Sequence, residues 1–145
     1  MLEKMLSLLG FLVAIAAVIW LVLIDHLIAT NPILLGIQSC AALLMFWARK
    51  TFGLRSFHAT ANTTEGGLVT TGPYRYWRHP IYASLIYFVW AGQVQAPSAL
   101  PVALAIAATL GLVARMVLEE RFLAVAYPEY SQYARRTKRL VPFLI

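Results

Sequence analysis

Two clusters of polar side chains interrupt an otherwise greasy chain. The first, Gly72-Pro73-Tyr74-Arg75-Tyr76-Trp77-Arg78-His79-Pro80-Ile81-Tyr82, crowds arginines, a histidine and aromatic rings into the start of an apolar segment. The second, Glu119-Glu120-Arg121, stands where the last apolar segment ends. Arg78 offers a permanent charge on a planar fork of donors. Pro80 disfavours a helical conformation at His79 and pre-sets the helix that follows, so free N–H groups at that helix start suit a carboxylate or phosphate. Tyr74, Tyr76, Trp77 and Tyr82 can stack on a ring or enclose a cation, although the same residues also suit a plain membrane-interface belt. Adjacent helix positions point ~100° apart, so one carboxylate of the Glu119-Glu120 pair can enter a pocket while the other holds a neighbour. Arg115, one turn earlier, is expected to pair with Glu119. Polar clusters at the ends of membrane helices are costly unless they serve a purpose, and the two together point to a site for one small polar molecule at the water–lipid boundary.

The elements that must bring these clusters together are apolar helices. The 145 residues suffice for one domain. They are 61% hydrophobic and only 12% charged, about half the usual charged share of soluble domains. With a mean hydropathy of +0.72, that composition indicates an integral membrane protein. The net charge of +6 then reads as contact with membrane lipid headgroups rather than with nucleic acid. Cys40 is the single cysteine, which rules out an intrachain disulfide, and it reads as a small buried hydrophobe. His26, His58 and His79 are scattered and give no zinc spacing. No Gly-rich phosphate loop, dinucleotide fingerprint or nucleophile elbow is present.

Four apolar segments are expected as helices. The first covers about Met5–Ile24; it is too long for the core of a signal peptide, and no small-residue cleavage site follows it. Asn31-Pro32 starts the second, which ends near Arg49-Lys50 and forms an antiparallel hairpin with the first. Residues 51–79 form a polar loop in which Phe52, Leu54 and Phe57 suit the membrane surface. The third segment runs from Pro80 to about Val94. The fourth starts at the N-cap Ser98 and continues through the glutamates to about Ala126, where Pro128 stops it. Residues 127–145 form a polar tail with an apolar end that is expected to dock back.

The expected architecture is all-α: a single membrane domain of four transmembrane helices with a carboxyl-terminal cytoplasmic helical extension. Residues 1–50 form one hairpin, and 80–126 form a second that carries the site. Lys4, Arg49, Lys50, Arg55, Arg75, Arg78 and the basic residues from Arg121 onward all fall on one side of such a bundle, whereas the opposite turns hold no Lys or Arg. That puts both termini and the site on the cytoplasmic side. Arg135, Arg136, Lys138 and Arg139 read as headgroup contacts.

The block from Gly72 to Tyr82, the helical hairpin after it, Glu119-Glu120, Tyr130, Tyr133 and Val141-Pro142 resemble the isoprenylcysteine carboxyl methyltransferase family and its phospholipid methyltransferase relatives. The likeness covers roughly residues 66–142. It implies S-adenosylmethionine as methyl donor and a lipophilic or small methyl acceptor: a carboxylate, an amine or a thiol. It implies a cofactor pocket from Arg78, His79, Pro80, Tyr82, Glu119 and Glu120, with Gly72, Tyr74, Tyr130 and Tyr133 as further members. The carboxylates suit the donor's ammonium and hydroxyls. Arg78 and the backbone N–H groups near His79 suit its carboxylate, and the aromatics suit adenine and sulfonium. Arg78 and Glu119 are the catalytic candidates. An arginine can hold an acidic acceptor, whereas an amine acceptor needs Glu119 or His79 as a base. Membrane sterol reductases, which use a nicotinamide cofactor, resemble the same half of the chain but typically have more spans. A non-enzymatic lipid-binding membrane protein is the third reading.

Overall fold

Each helix starts and stops where its local chemistry requires. The computed structural model describes residues 2–53 and 67–141. Helix α1 (Leu2–Leu23) is the uninterrupted apolar run. Helix α2 (Pro32–Phe52) has Pro32 in its first turn, where a missing N–H costs nothing, and the Asn31 side chain accepts from the Ile33 and Leu34 amides. Helix α3 (Pro80–Gln95) also begins on a proline. Helix α4 (Ala99–Ala126) follows Ser98 at the N-cap position, passes through both glutamates and ends just before Pro128. A short helix α5 (Tyr130–Arg136) forms the tail. A 3-10 turn occupies Gly72–Arg75.

Among the described residues three helices, not the expected four, are long and apolar enough to cross a membrane: α1, α2 and α4. Helix α3 has 16 residues, about 24 Å at ~1.5 Å per residue, short of a ~30 Å hydrocarbon core. Pro80 fixes its start, and the chain turns away at Ala96-Pro97. Its carboxyl-terminal end nevertheless meets the segment that joins α1 to α2. Gln95 accepts from the Thr30 and Asn31 amides at 2.5 and 2.7 Å, and Gln93 donates to the His26 carbonyl at 2.9 Å.

Helices consecutive in sequence are not always packing partners. Helix α1 lies mainly on α4, and α2 lies mainly on α3. The side-by-side hairpin expected of residues 1–50 is thus replaced by the order α2, α3, α4, α1. The reason is a run of small residues. Ser7, Gly10, Ala14 and Ala17 of α1 face Ala105, Ala108 and Gly111 of α4, which lets the two backbones come close without a hydrophobic drive between them. A Cβ on Gly10 would stand 2.7 Å from the Gly111 carbonyl oxygen. The α2–α3 contact is tied by Gln38, which is buried and donates to the Leu27 and Phe88 carbonyls at 2.7 and 3.0 Å. Cys40, expected to be buried, lies on the exposed face of α2.

The expectations for Leu54, Phe57, His58 and residues 142–145 lie outside the described residues. Phe52 packs on Tyr74 with ring centroids 5.4 Å apart. Leu140 docks on the bundle, its carbonyl accepting from the Tyr87 hydroxyl.

Candidate functional site

One end of the bundle gathers the start of α1, the start of α3, the end of α4 and the tail. Gly72 opens the approach to it. Its φ of +57 is a left-handed conformation, and a Cβ there would stand 2.5 Å from Thr51 Oγ1, so both backbone and space call for glycine. The 3-10 turn that follows buries Tyr74. The Tyr133 hydroxyl donates to the Tyr74 carbonyl at 2.8 Å, which binds α5 to this turn.

Arg78 and His79 meet Glu120 across 42 and 41 positions of chain, respectively. Arg78 Nε donates to Glu120 Oε1 at 2.9 Å, and His79 Nε2 lies 3.2 Å from the same oxygen. The other Arg78 arm, Nη1, donates to the Ala134 and Thr137 carbonyls, each at 2.6 Å. Glu120 Oε2 receives Nε and Nη2 of Arg139 at 3.0 and 2.8 Å. Arg139, read from the sequence as a headgroup contact, is therefore part of the cluster. Nothing in the sequence separates it from its basic neighbours, because the selection comes from the path of the tail.

That path also corrects the expected use of the backbone donors at the start of α3. The Arg78 N–H donates to the Lys138 carbonyl at 2.6 Å and the His79 N–H to the Arg139 carbonyl at 3.3 Å, with Trp77 and Lys138 forming a single parallel bridge. The tail is a strap across the arginine–histidine corner, and these two N–H groups hold the strap instead of a ligand carboxylate.

Glu119 points a different way, as the ~100° step between helix neighbours requires. Its Oε2 accepts from the Tyr82 hydroxyl at 2.6 Å. Arg115 Nε donates to that same hydroxyl at 2.8 Å, so the expected relation of Arg115 to Glu119 runs through Tyr82. Arg115 is buried, with Nη1 3.5 Å from Ser7 Oγ and its guanidinium 4.8 Å from the centre of the Phe11 ring. Ser7 was missed in the sequence; its one signal is a hydroxyl inside an apolar run. The His79 ring stacks on Tyr82 at 5.5 Å, which joins the two halves of the site.

Tyr130 and Tyr133 share a face of α5, with ring centroids 6.1 Å apart. Burial raises the pKa of both phenols and of Tyr74 far above the ordinary range; the charge of Glu120 adds to this at Tyr130 and that of Glu119 at Tyr74. A raised folded-state value stabilises the fold fully below the unfolded pKa of ~10, and that stability is lost as pH climbs through the folded value. In an alkaline titration of tyrosinate absorbance, these three of the seven tyrosines are expected to stay protonated at about pH 11. Ionisation of all seven near ~10 in the folded protein would refute the packing described here.

The donor set is mixed. Two carboxylates, three arginines, a histidine and several aromatic rings converge at one helix end. Such a set can hold a molecule that carries cationic, anionic and aromatic parts together. The model of one protein family, described as phospholipid methyltransferase, matches residues 26–130. The chain belongs to the phospholipid methyltransferase family. The matched segment contains Arg78–Tyr82, Glu119, Glu120 and Tyr130, and leaves Tyr133 and Arg139 beyond it. The resemblance to isoprenylcysteine carboxyl methyltransferase-like proteins holds at the level of this family. Over 78 residues the chain is 42% identical to the cobalt-zinc-cadmium resistance protein CzcN of Cupriavidus metallidurans, and 38% identical to the nickel-cobalt-cadmium resistance protein NccN of Alcaligenes xylosoxydans xylosoxydans. Those stretches are 53% of this chain but only 36% and 37% of the two relatives. No solved structure matches the chain.

Proposed function

We propose that this member of the family is an integral membrane methyltransferase that moves a methyl group from S-adenosylmethionine to a lipophilic or small acceptor at the cytoplasmic membrane face. One observation carries the reading: Arg78, His79 and Tyr82 at the start of α3 converge on Glu119 and Glu120 at the end of α4, in a chain of this family. The donor set fits the cofactor. Carboxylates suit its ammonium and ribose hydroxyls, arginine forks suit its carboxylate, and the faces of Tyr74, Tyr130 and Tyr133 suit its adenine and sulfonium.

When bound, S-adenosylmethionine supplies an electrophilic methyl: the acceptor's lone pair forms the new bond as the carbon–sulfur bond breaks, and that electron pair stays on sulfur. The chain's own residues align the acceptor behind the methyl and keep water out. The Tyr82–Arg115 link fixes Glu119, and the Arg78–His79–Arg139 cage fixes Glu120. An acidic acceptor needs only an arginine to hold it. An amine acceptor gives its proton to Glu119 or His79. Cytoplasmic orientation is supported by the basic residues at this end of the bundle and their absence from the opposite turns. Among the described residues, no group of three or more His, Cys, Asp or Glu could hold a metal ion. The proposal gives the metals named in the two relatives no role at this site.

Calorimetric titration of the detergent-solubilised chain with S-adenosylmethionine is expected to show micromolar binding that is lost in Arg78→Ala. Labelled donor is expected to pass its methyl to a component of a membrane lipid extract. Binding of NADPH in its place would turn the assignment to a reductase, and binding of neither would leave a lipid-binding membrane protein.

A further inference from the structure

Most of the positive charge on the tail meets no carboxylate. Residues 130–139 carry Arg135, Arg136, Lys138 and Arg139 and no acid. Arg139 alone of these turns to Glu120. Arg135, Arg136 and Lys138 are exposed, and none of them joins an ion pair among the described residues. The backbone explains why neighbours behave differently. Thr137 is extended, with φ −122 and ψ 159, and successive side chains of an extended segment point to opposite sides. Thr137 is buried and Arg139 reaches the carboxylate, whereas Lys138 between them is exposed.

Docking lays this charge on more of the same sign. The strap bonds to the backbone at Tyr76, Arg78 and His79, and Tyr133 ties α5 to the turn that ends in the exposed Arg75. Among the described residues, Glu120 is the one carboxylate in an ion pair with the strap, and Arg78 and His79 already share it. The three outward cations therefore repel the corner they cover, and that repulsion favours an undocked tail whose charges can spread apart. A layer of anions against the outer face relieves the repulsion and adds attraction, acting within a Debye length of ~8–10 Å. The side chains around these cations indicate what kind of anion fits. Tyr76, whose carbonyl accepts from the Lys138 N–H at 3.2 Å, is 46% exposed and stands edge-on to Trp77 with ring centroids 6.1 Å apart. Exposed aromatic rings among cations suit the headgroup layer, where an apolar border lies beneath phosphates.

We infer that anionic phospholipid headgroups of the adjoining leaflet bind Arg135, Arg136 and Lys138 and clamp the strap over the Arg78–Glu120 corner. The charge of the leaflet then sets how often the corner opens: a neutral leaflet leaves the strap loose, and an anionic one keeps it shut.

The test is hydrogen exchange at the Arg78 and Lys138 amides, whose bonds exist only while the strap is docked. The full chain is compared in phosphatidylcholine nanodiscs and in nanodiscs rich in phosphatidylglycerol. Exchange at both amides is expected to slow about tenfold in the anionic bilayer, while the Gln38 amide inside α2 is unchanged. High salt is expected to remove most of the difference. The triple variant Arg135→Gln, Arg136→Gln, Lys138→Gln is expected to exchange alike in the two bilayers. Should that variant fail to fold, the salt titration of the parent chain still decides. Equal exchange of the parent chain in both bilayers overturns the proposal, as does a difference that survives high salt or the triple substitution. Inorganic phosphate that slows exchange equally over phosphatidylcholine also overturns it, because the surface would then bind dissolved anions. S-adenosylmethionine is left out throughout, so neither result bears on the methyl-transfer reading, and the failure of that reading leaves the clamp untouched.

Discussion

Glu120→Gln is expected to release the tail from the bundle and to abolish binding of S-adenosylmethionine. The substitution keeps the shape but replaces an acceptor oxygen with an NH₂ donor. Every group that reaches this carboxylate is itself a donor: Arg78 and His79 at one oxygen, Arg139 at the other. The carboxylate and the Arg78 side chain are each only 12% exposed, so water cannot easily take over the lost contacts. Breaking such a half-buried network costs on the order of 3 kcal/mol, less than a fully buried pair would because Arg139 reaches solvent. Local opening of the tail would then rise by roughly two powers of ten. Trypsin cleavage at Arg135, Arg136, Lys138 and Arg139 follows that opening when cleavage is slow relative to reclosure. A tryptic half-life unchanged from the parent chain would show that the strap is held by something else.

Gly111→Val should be the most damaging change outside the site. The Gly10 and Gly111 backbones touch where α1 crosses α4, and a Cβ on Gly111 would overlap the Gly10 carbonyl oxygen. A rigid branched side chain there must push the helices apart, at about 1–3 kcal/mol or more. The same displacement withdraws Ser7 and Phe11 from Arg115, one turn away. A lower thermal midpoint in detergent is therefore expected. Gly36→Val is the control, since a Cβ at Gly36 meets nothing within 4 Å. Equal midpoints for the two variants would contradict the crossing described here.

Most of the fold could be read from the chain because its boundaries are set by proline and asparagine. Pro32, Pro80 and Pro128 place the helix ends within a few residues, and the alignment of both polar clusters at one bundle end follows from helix count alone. The meeting of the Arg78-His79 corner with Glu120 was also legible, because opposite charges at one membrane boundary seek each other. Three features were not. The span count fell from four to three because a proline at each border shortens α3, and composition does not report length. Packing of α1 on α4 in place of α2 depends on Gly10 meeting Gly111 a hundred residues later. Arg139, alone of four similar tail cations, reaches Glu120 because the strap pairs with residues 76–79, which no local pattern encodes.

The shortness of α3 has a consequence for the surroundings of the protein. A helix several ångströms shorter than the hydrocarbon core obliges neighbouring lipids to compress or to let headgroups and moisture sag inward beside it. Such a dip at the start of α3 would keep the Arg78–Glu120 end wetted while its flanking helices remain immersed. Thin membranes accommodate that shape at the least elastic cost, which makes bilayer thickness itself a sorting cue for this chain.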